Sequence, residues 1–374
     1  MWINQPIEFN GVKGIGNLKL TLTSPKMNVL IGANGTGKTK ALESLFTLSL
    51  CSNAQLQEKH LGASAFVFSE CWVNGKTVFH LPQNDHSSVR RRISSLLAEG
   101  IPSHDRPVVY LAAQNRGEIK RNSNQGIQPL GEYQERQTAY FEHILNAMHN
   151  HFSTLNMNSN IEEWFIQRAQ SANAYQAEAD NREIELLTVL RILHRIDPRI
   201  SDRAEDFKII GGKTVSILLD GQPRRLEELS SGFASLIKIV QSIVAGYGYF
   251  TNAKEIENVA GMVFIDEIES HLHIEWQSKI LPLLQSVFPN TLFIIATHSS
   301  LVLAQLHEGK AYQLIKDEHG AHTEEIPNPS KMALIDLLND AFGVNLNQLK
   351  IDSATPDNQK AAKQALLDLL GGAK

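Results

Sequence analysis

Two strings of residues in this 374-residue chain have the types and spacing to act on a phosphate. The first is Gly32-Ala33-Asn34-Gly35-Thr36-Gly37-Lys38-Thr39, the G-x-x-x-x-G-K-[ST] pattern of a Walker A loop. Its glycines let the backbone curl so that amides aim at phosphate oxygens, and a helix starting near Lys38 adds unpaired N–H groups. Lys38 is expected to reach the β/γ-phosphates and Thr39 to place its hydroxyl on Mg²⁺, with Asn34, Gly35, Gly37 and Lys40 completing the ATP cradle. The second string, Gly261-Met262-Val263-Phe264-Ile265-Asp266-Glu267, is an apolar strand ending in two acids. Adjacent acids there are costly unless a cation or bound water uses them. Asp266 is expected to hold Mg²⁺ or its water shell, and Glu267 to orient and deprotonate the lytic water.

Two further strands deliver polar groups to the same kind of place. Thr291 to Thr297 is apolar and ends at His298, which can hydrogen-bond a γ-phosphate or the water beside it. Pro107 to Ala113 delivers Gln114, Asn115 and Arg116. Gln114 could meet Mg²⁺ or the attacking water and Arg116 a phosphate; a plain surface loop is the alternative. His271 and His273 stand two apart beside Glu269 and Glu275. That is not the i, i+4 spacing of a zincin helix, so zinc is not expected.

Strands and helices must hold these groups in position. Val29-Leu30-Ile31 reads as a buried strand and Lys40 to Phe46 as a helix, the setting a phosphate loop needs. Ile7 to Phe9, Leu18 to Thr23 and the strand into the loop read as a small β-meander, with Ser24-Pro25-Lys26 as its last turn. Asn74-Gly75 predicts a hairpin between Phe66-Val67-Phe68 and Thr77-Val78-Phe79. Helices are expected over Tyr133 to His149, Ile161 to Tyr175 and Ala177 to Ile196, the last presenting Ile184, Leu187, Leu190 and Leu193 as a packed face. Phe207 to Ile210, Val215 to Leu219 and the Asp220-Gly221 turn restore a β pattern. The expected organisation is an N-terminal part of the head over residues 1–130, a helical insertion over 131–205, the C-terminal part of the head over 206–330, and a helical tail over 331–374.

Composition narrows the function classes. The formal charge of −5 with a pI near 6.3 argues against a surface that coats nucleic acid. Local patches at Arg90-Arg91-Arg92, at Arg116 with Lys120-Arg121, and at Arg224-Arg225 stay open, as does their reading as ordinary solvated arginines. No apolar run is long enough for a membrane span and the N-terminus does not read as a signal peptide, so a cytoplasmic location is expected. Cys51 and Cys71 are expected to be reduced thiols.

With these pieces placed, the chain resembles an ABC-type ATPase of the branch shared by SMC, RecF and overcoming-lysogenization-defect (OLD) proteins, an AAA ATPase without a TOPRIM domain. Leu229-Ser230-Ser231-Gly232-Phe233, preceding a helix from Ala234 to Ala245, resembles the L-S-G-G-Q signature. Ser231 stands for the third-position Gly and Phe233 for the Gln. Asp266 to His273 resembles the D-E-x-E-x-H-L-H of this branch, Thr297-His298-Ser299-Ser300 its switch-histidine segment, and Tyr110 to Arg116 the place of its Q-loop.

The resemblance implies an α/β P-loop NTPase fold of ABC-ATPase type: a mixed central sheet with an N-terminal β-meander and a helical insertion. It implies ATP and Mg²⁺ as ligands and a homodimer in which Ser230, Ser231 and Gly232 of one copy meet the γ-phosphate on the other's loop, with higher oligomers left open. It also places the chain near stand-alone ATPases of anti-phage defence systems such as Septu and retrons, which control a separate nuclease or toxin effector. A RecF-type repair ATPase acting on DNA and a scaffold assembled by ATP with slow turnover are the competing readings. A transporter subunit fits the Phe233 ending and the helical insertion poorly.

Overall fold

The apolar runs singled out above become the centre of one ten-stranded mixed sheet. The structure is a computed structural model, and it describes residues 2–63, 65–81, 90–98, 103–119, 127–333 and 336–337. In chain order the strands of this sheet are β1 (Ile7–Val12), β2 (Gly16–Leu20), β3 (Met27–Ile31), β4 (Glu70–Val73), β5 (Lys76–His80), β6 (Val108–Leu111), β7 (Met262–Ile265), β8 (Leu292–Ala296), β9 (Lys310–Asp317) and β10 (Gly320–Ile326). Across the sheet they run β5-β4-β1-β2-β10-β9-β3-β8-β7-β6. From β9 to β6 all neighbours are parallel. Every residue of β3, β6, β7 and β8 is buried, as strands covered on both faces require.

Helices α1 (Lys38–Cys51), α2 (Tyr133–Asn150), α3 (Ile161–Gln170), α4 (Glu183–Ile196) and α5 (Ser231–Gly248) supply the cover. Phe46 of α1 packs on Tyr110 and Phe264, with ring centroids 5.3 and 5.8 Å apart. α5 packs on the other face of β6: a Cβ at Gly246 would lie 2.4 Å from Val109. Tyr110 and Val109 are successive in the strand and so point to opposite faces. A separate three-stranded sheet, Lys208–Ile210, Thr214–Leu219 and Gln222–Arg225, leads into the 229–233 segment.

Several local expectations change. The meander is interrupted, because the β9–β10 hairpin arrives from far along the chain and lies between β2 and β3, with β9 parallel to β3 and β10 parallel to β2. A local turn signal at Ser24-Pro25 cannot reveal such an insertion. Asn74 (φ 49°) and Gly75 (φ 73°) do make the hairpin turn, but a two-residue turn fixes the residues next to it. The paired strands are therefore Glu70–Val73 and Lys76–His80, and Phe68 instead packs on Phe79 at 5.0 Å.

The second long helix stops at Gln170, short of Tyr175, and the third starts at Glu183 instead of Ala177. The buried face of α4 carries Leu186, Val189, Leu190 and Leu193 with Glu185, while Ile184 and Leu187 are half-buried. Glu185 can be buried because Arg168 and Arg182 bond it at 3.0 and 2.7 Å. Cys51 and Cys71 are buried free thiols. Of the helical tail expected over 331–374, residues 331–333 and 336–337 are described; the rest lies outside the described residues, as does Lys120-Arg121.

Candidate nucleotide site

The Gly32–Thr39 loop joins β3 to α1 in the order strand, loop, helix. Gly35 (φ 80°) and Gly37 (φ 103°) take left-handed conformations, and a Cβ at Gly37 would run into Ile15 at 2.2 Å. Lys38, Thr39 and Lys40 open the helix, so their N–H groups lack intrahelical acceptors and form an anion site. The Lys38 ammonium curls back and donates to the carbonyls of Gly32 (2.8 Å) and Ala33 (2.9 Å). Burial lowers its pKa to about 8, against the opposing pull of Asp266, Glu267 and Glu269. The Lys40 side chain pairs with Glu43 on the same helix, and Asn34 is exposed.

Parallel register brings the other groups to the same edge. Asp266 follows β7 and its N–H bonds Leu111 O; Thr297 follows β8 and its N–H bonds Leu30 O. The Thr39 hydroxyl donates to Asp266 Oδ2 at 2.9 Å. Asp266 is buried and its other oxygen, Oδ1, has no hydrogen-bond partner. Burial raises its pKa to about 6. One hydroxyl and one carboxylate with an unclaimed buried oxygen suit Mg²⁺, a hard cation that takes its remaining oxygens from phosphate and water. Among the described residues no group of three or more His, Cys, Asp or Glu side chains could hold a metal.

Glu267 sits at φ 44°, an unfavourable left-handed conformation for a side-chain-bearing residue, and Ser270 donates to its carboxylate at 3.0 Å. Arg116 holds that turn, which corrects its reading as a phosphate contact. It is fully buried and donates to the carbonyls of Glu267 (2.8 Å), Asp266 (2.8 Å), Ala112 (2.7 Å) and Leu111 (3.3 Å). A guanidinium is the side chain with enough donors to join the two strand ends. Burial lowers its pKa to about 10, and the nearby carboxylates oppose that fall. Gln114 is exposed on the preceding turn and makes no hydrogen bond among the described residues.

The role of Glu269 was not legible in the sequence. One carboxylate oxygen accepts the His298 N–H and the other the Thr297 hydroxyl, both at 2.6 Å. Ser299 continues the link, donating to Gln277 Oε1 at 2.9 Å. His298 is half-buried, and desolvation first and Lys38 second lower its pKa. The sequence signal for Glu269 is its place as the second Glu of the D-E-x-E-x-H-L-H pattern, which names no partner for it.

The 229–233 segment forms the start of α5, with Ser230 as N-cap accepting the Phe233 N–H. Ser230 and Ser231 are exposed, and Gly232 lies against His271 and His273. Ser235 donates to Ser270 O at 3.2 Å, tying α5 to the Glu267–Ser270 turn. Among the described residues no hydrogen bond or ion pair joins 229–233 to the Gly32–Thr39 loop of the same chain. His271 packs against Gly117, where a Cβ would lie 2.6 Å from its ring.

The α/β P-loop ATPase fold agrees with comparisons to known proteins. Residues 126–304 match the family described as "AAA domain, putative AbiEii toxin, Type IV TA system". The chain is 24% identical over 354 residues to the Septu protein PtuA of Bacillus mycoides (strain KBAB4), covering 90% of this chain and 44% of that protein. It thus spans under half of that relative's length. It is 22% identical to the Retron Vc95 probable ATPase of Vibrio cholerae serotype O1 biovar El Tor, covering 78% of this chain and 69% of that one. A Smc head bound to the C-winged helix domain of ScpA is 13% identical, covering 88% and 99% of the two chains with a TM-score of 0.47. By these matches the chain is similar to an AAA-domain family, to a Septu protein and to a retron's probable ATPase.

Proposed function

We propose that the protein is an ATP-binding and ATP-hydrolysing switch that closes as a head-to-tail dimer around two nucleotides and controls a separate effector. The observation carrying this reading is the Thr39–Asp266 hydrogen bond, with Glu267 and the Thr297–His298 step beside it at adjoining strand ends. Lys38 exchanges its two loop carbonyls for β/γ-phosphate oxygens, and the amides opening α1 bind the same phosphates. Thr39 and Asp266 hold Mg²⁺, which when bound neutralises developing phosphate charge. Glu267 orients and deprotonates the attacking water, and His298 contacts the γ-phosphate in its neutral form. Glu269 is a positioning residue that fixes His298 through its backbone.

The dimer is proposed because the exposed Ser230 and Ser231 face no nucleotide group of their own chain, and hydrophobic side chains lie near them. Ile274 is 66% exposed, and half-buried Phe233 and Trp276 pack edge-on at 6.2 Å. A second copy can cover that surface while bringing its own phosphate loop to Ser230. Likeness to the Septu and retron proteins supports an effector-controlling role. No helix among the described residues is long and apolar enough to cross a membrane, and a cytoplasmic location is part of the proposal. Phosphate release tests the chemistry. Glu267→Gln should keep ATP binding and lose turnover, and Lys38→Ala should lose binding. Undiminished turnover in Glu267→Gln would remove the assignment.

A further inference from the structure

Away from the nucleotide site, three guanidinium groups share two carboxylates inside the helical insertion. Glu185 accepts from Arg168 Nε at 3.0 Å and from Arg182 Nε at 2.7 Å, and Asp180 accepts from Arg136 Nη1 at 3.2 Å. Arg136, Arg168, Arg182 and Glu185 are buried, and Asp180 is half-buried. Burial first and the Arg168 charge second hold the Arg136 pKa below its ordinary value, against the pull of Glu185 and Asp180. The group is one negative charge short, and a buried charge without a counter-ion is costly.

A cavity of about 300 Å³ opens beside this group, and its wall includes Arg136, Ala139 and Tyr140 of α2, Gln167 and Arg168 of α3, and Tyr249 at the end of α5. Among the described residues no Asp or Glu lines it. Each arginine keeps one donor unspent. Arg168 Nη1 donates to Gln167 at 3.3 Å and Nη2 has no hydrogen-bond partner; Arg136 Nη1 is taken by Gly131 O and Asp180, and Nε has none. Neither of these free nitrogens is sealed from solvent, whereas Arg136 Nη2 is sealed and takes no part. Single donors from two side chains, with no free two-pronged fork, suit the separate oxygens of a tetrahedral phosphoryl group better than a planar carboxylate. The volume leaves room for more than a phosphate, and Tyr140 and Tyr249, stacked at 4.0 Å, offer an aromatic wall to an organic part. We propose that this cavity is a second anion site, which binds the phosphoryl group of a small molecule on Arg136 and Arg168. It lies at the C-terminal end of α5, a helix that spans about 27 Å. The Glu267–Ser270 turn of the nucleotide site meets that helix at Ser235, near its other end.

The test uses the full chain, as wild type and as Lys38→Ala, in which the phosphate loop has lost its lysine. Calorimetry and thermal unfolding follow sodium phosphate, ribose 5-phosphate, AMP and malonate in turn. Phosphate or a phosphomonoester should bind saturably and raise the Tm of both proteins alike. An ester that binds more tightly than phosphate assigns the site to a phosphorylated small molecule, and equal affinities assign it to free phosphate. Ala139 is exposed on α2, so substitutions there should fold. Ala139→Glu brings a carboxylate to the cavity and should weaken binding about tenfold or more, while Ala139→Gln, of the same size and uncharged, should stay within about threefold of wild type. Arg168→Lys keeps the charge beside Glu185, loses Nη2, and should also weaken binding about tenfold; should it misfold, the Ala139 pair decides. The proposal fails if neither phosphate nor either ester binds, or if malonate binds as tightly. It also fails if Ala139→Glu and Ala139→Gln bind alike, if folded Arg168→Lys binds undiminished, or if binding vanishes in Lys38→Ala, which would place it in the phosphate loop.

Discussion

Replacing Glu269 probes the proposed coupling of the acid-bearing turn to the switch histidine. Its carboxylate accepts the His298 N–H and the Thr297 hydroxyl, each at 2.6 Å. Charge-assisted bonds contribute about 1.5 to 3 kcal/mol each, and the half-buried setting places these at the lower end. Glu269→Ala loses both, about 3 kcal/mol of hold on the segment, which corresponds to roughly a 100-fold fall in kcat if His298 must be in place for turnover. Glu269→Gln can keep both links: its amide oxygen accepts from His298, and its amide nitrogen donates to Thr297 Oγ1, which already accepts the Ser299 N–H at 3.0 Å. The loss is then about 1 kcal/mol, or roughly fivefold. Steady-state phosphate release, beside ATP titration of the resting protein, separates the outcomes, because ATP affinity should stay within about twofold in both variants. Glu269→Ala turning over like wild type would refute the positioning role. Glu269→Gln as inactive as Glu269→Ala would show that the charge itself takes part in the chemistry.

The same geometry fixes the outcome of other perturbations. Asp266, raised to about 6, is a neutral acid below that pH, so Mg²⁺-dependent ATP affinity should fall as pH drops through 6, and Asp266→Asn should lose this acidic limb. A carboxyl raised above its unfolded value contributes stability that is lost as pH rises through the folded pKa, so Asp266→Asn should raise the Tm of nucleotide-free protein at pH 7.5 and leave it nearly unchanged at pH 4. Lys38, lowered to about 8, must be charged to bind phosphate, so ATP binding near pH 8.5 should take up a proton, measurable by calorimetry in buffers of different ionisation enthalpy. Arg116→Met should cost about 2 to 4 kcal/mol of stability in denaturant unfolding by removing the guanidinium donors from the Ala112 and Asp266 carbonyls, while the Leu111 and Glu267 carbonyls keep the N–H groups of Asp266 and Ser270. Mixing Lys38→Ala with Ser230→Phe should restore part of the turnover that each lacks alone, since one composite site per mixed dimer is intact; no recovery would count against a site shared between copies.

The centre of the fold was legible because its strands announce themselves. Val29 to Ile31, Val108 to Leu111, Met262 to Ile265 and Leu292 to Ala296 are short apolar runs, the first leading into the Gly32–Thr39 loop, the second reaching Gln114 after two alanines, and the last two followed at once by Asp266 and Thr297. A parallel sheet turns that pattern into a row of functional groups at one edge. Strand neighbours were not legible, because pairing depends on long-range contacts: the β9–β10 hairpin enters between β2 and β3 from about 280 residues further along the chain. Arg116 was misread for a related reason. An arginine at a strand end looks the same in sequence whether it faces a phosphate or, as here, turns inward onto four carbonyls. Glu269 went unassigned because its partners are a backbone N–H and a hydroxyl about 30 residues away, and no spacing rule encodes such a bond.

The central claim is that ATP joins two copies of this chain through Lys38 of one and Ser230 of the other. Light scattering on Glu267→Gln, with ATP and Mg²⁺ and then without, measures it most directly. A shared site requires the mass to rise on adding ATP from the 41.6 kDa of one chain to twice that value, and Ser230→Phe in the same background must prevent the rise while ATP still binds. A Glu267→Gln protein that binds ATP and keeps the mass of a single chain would contradict it.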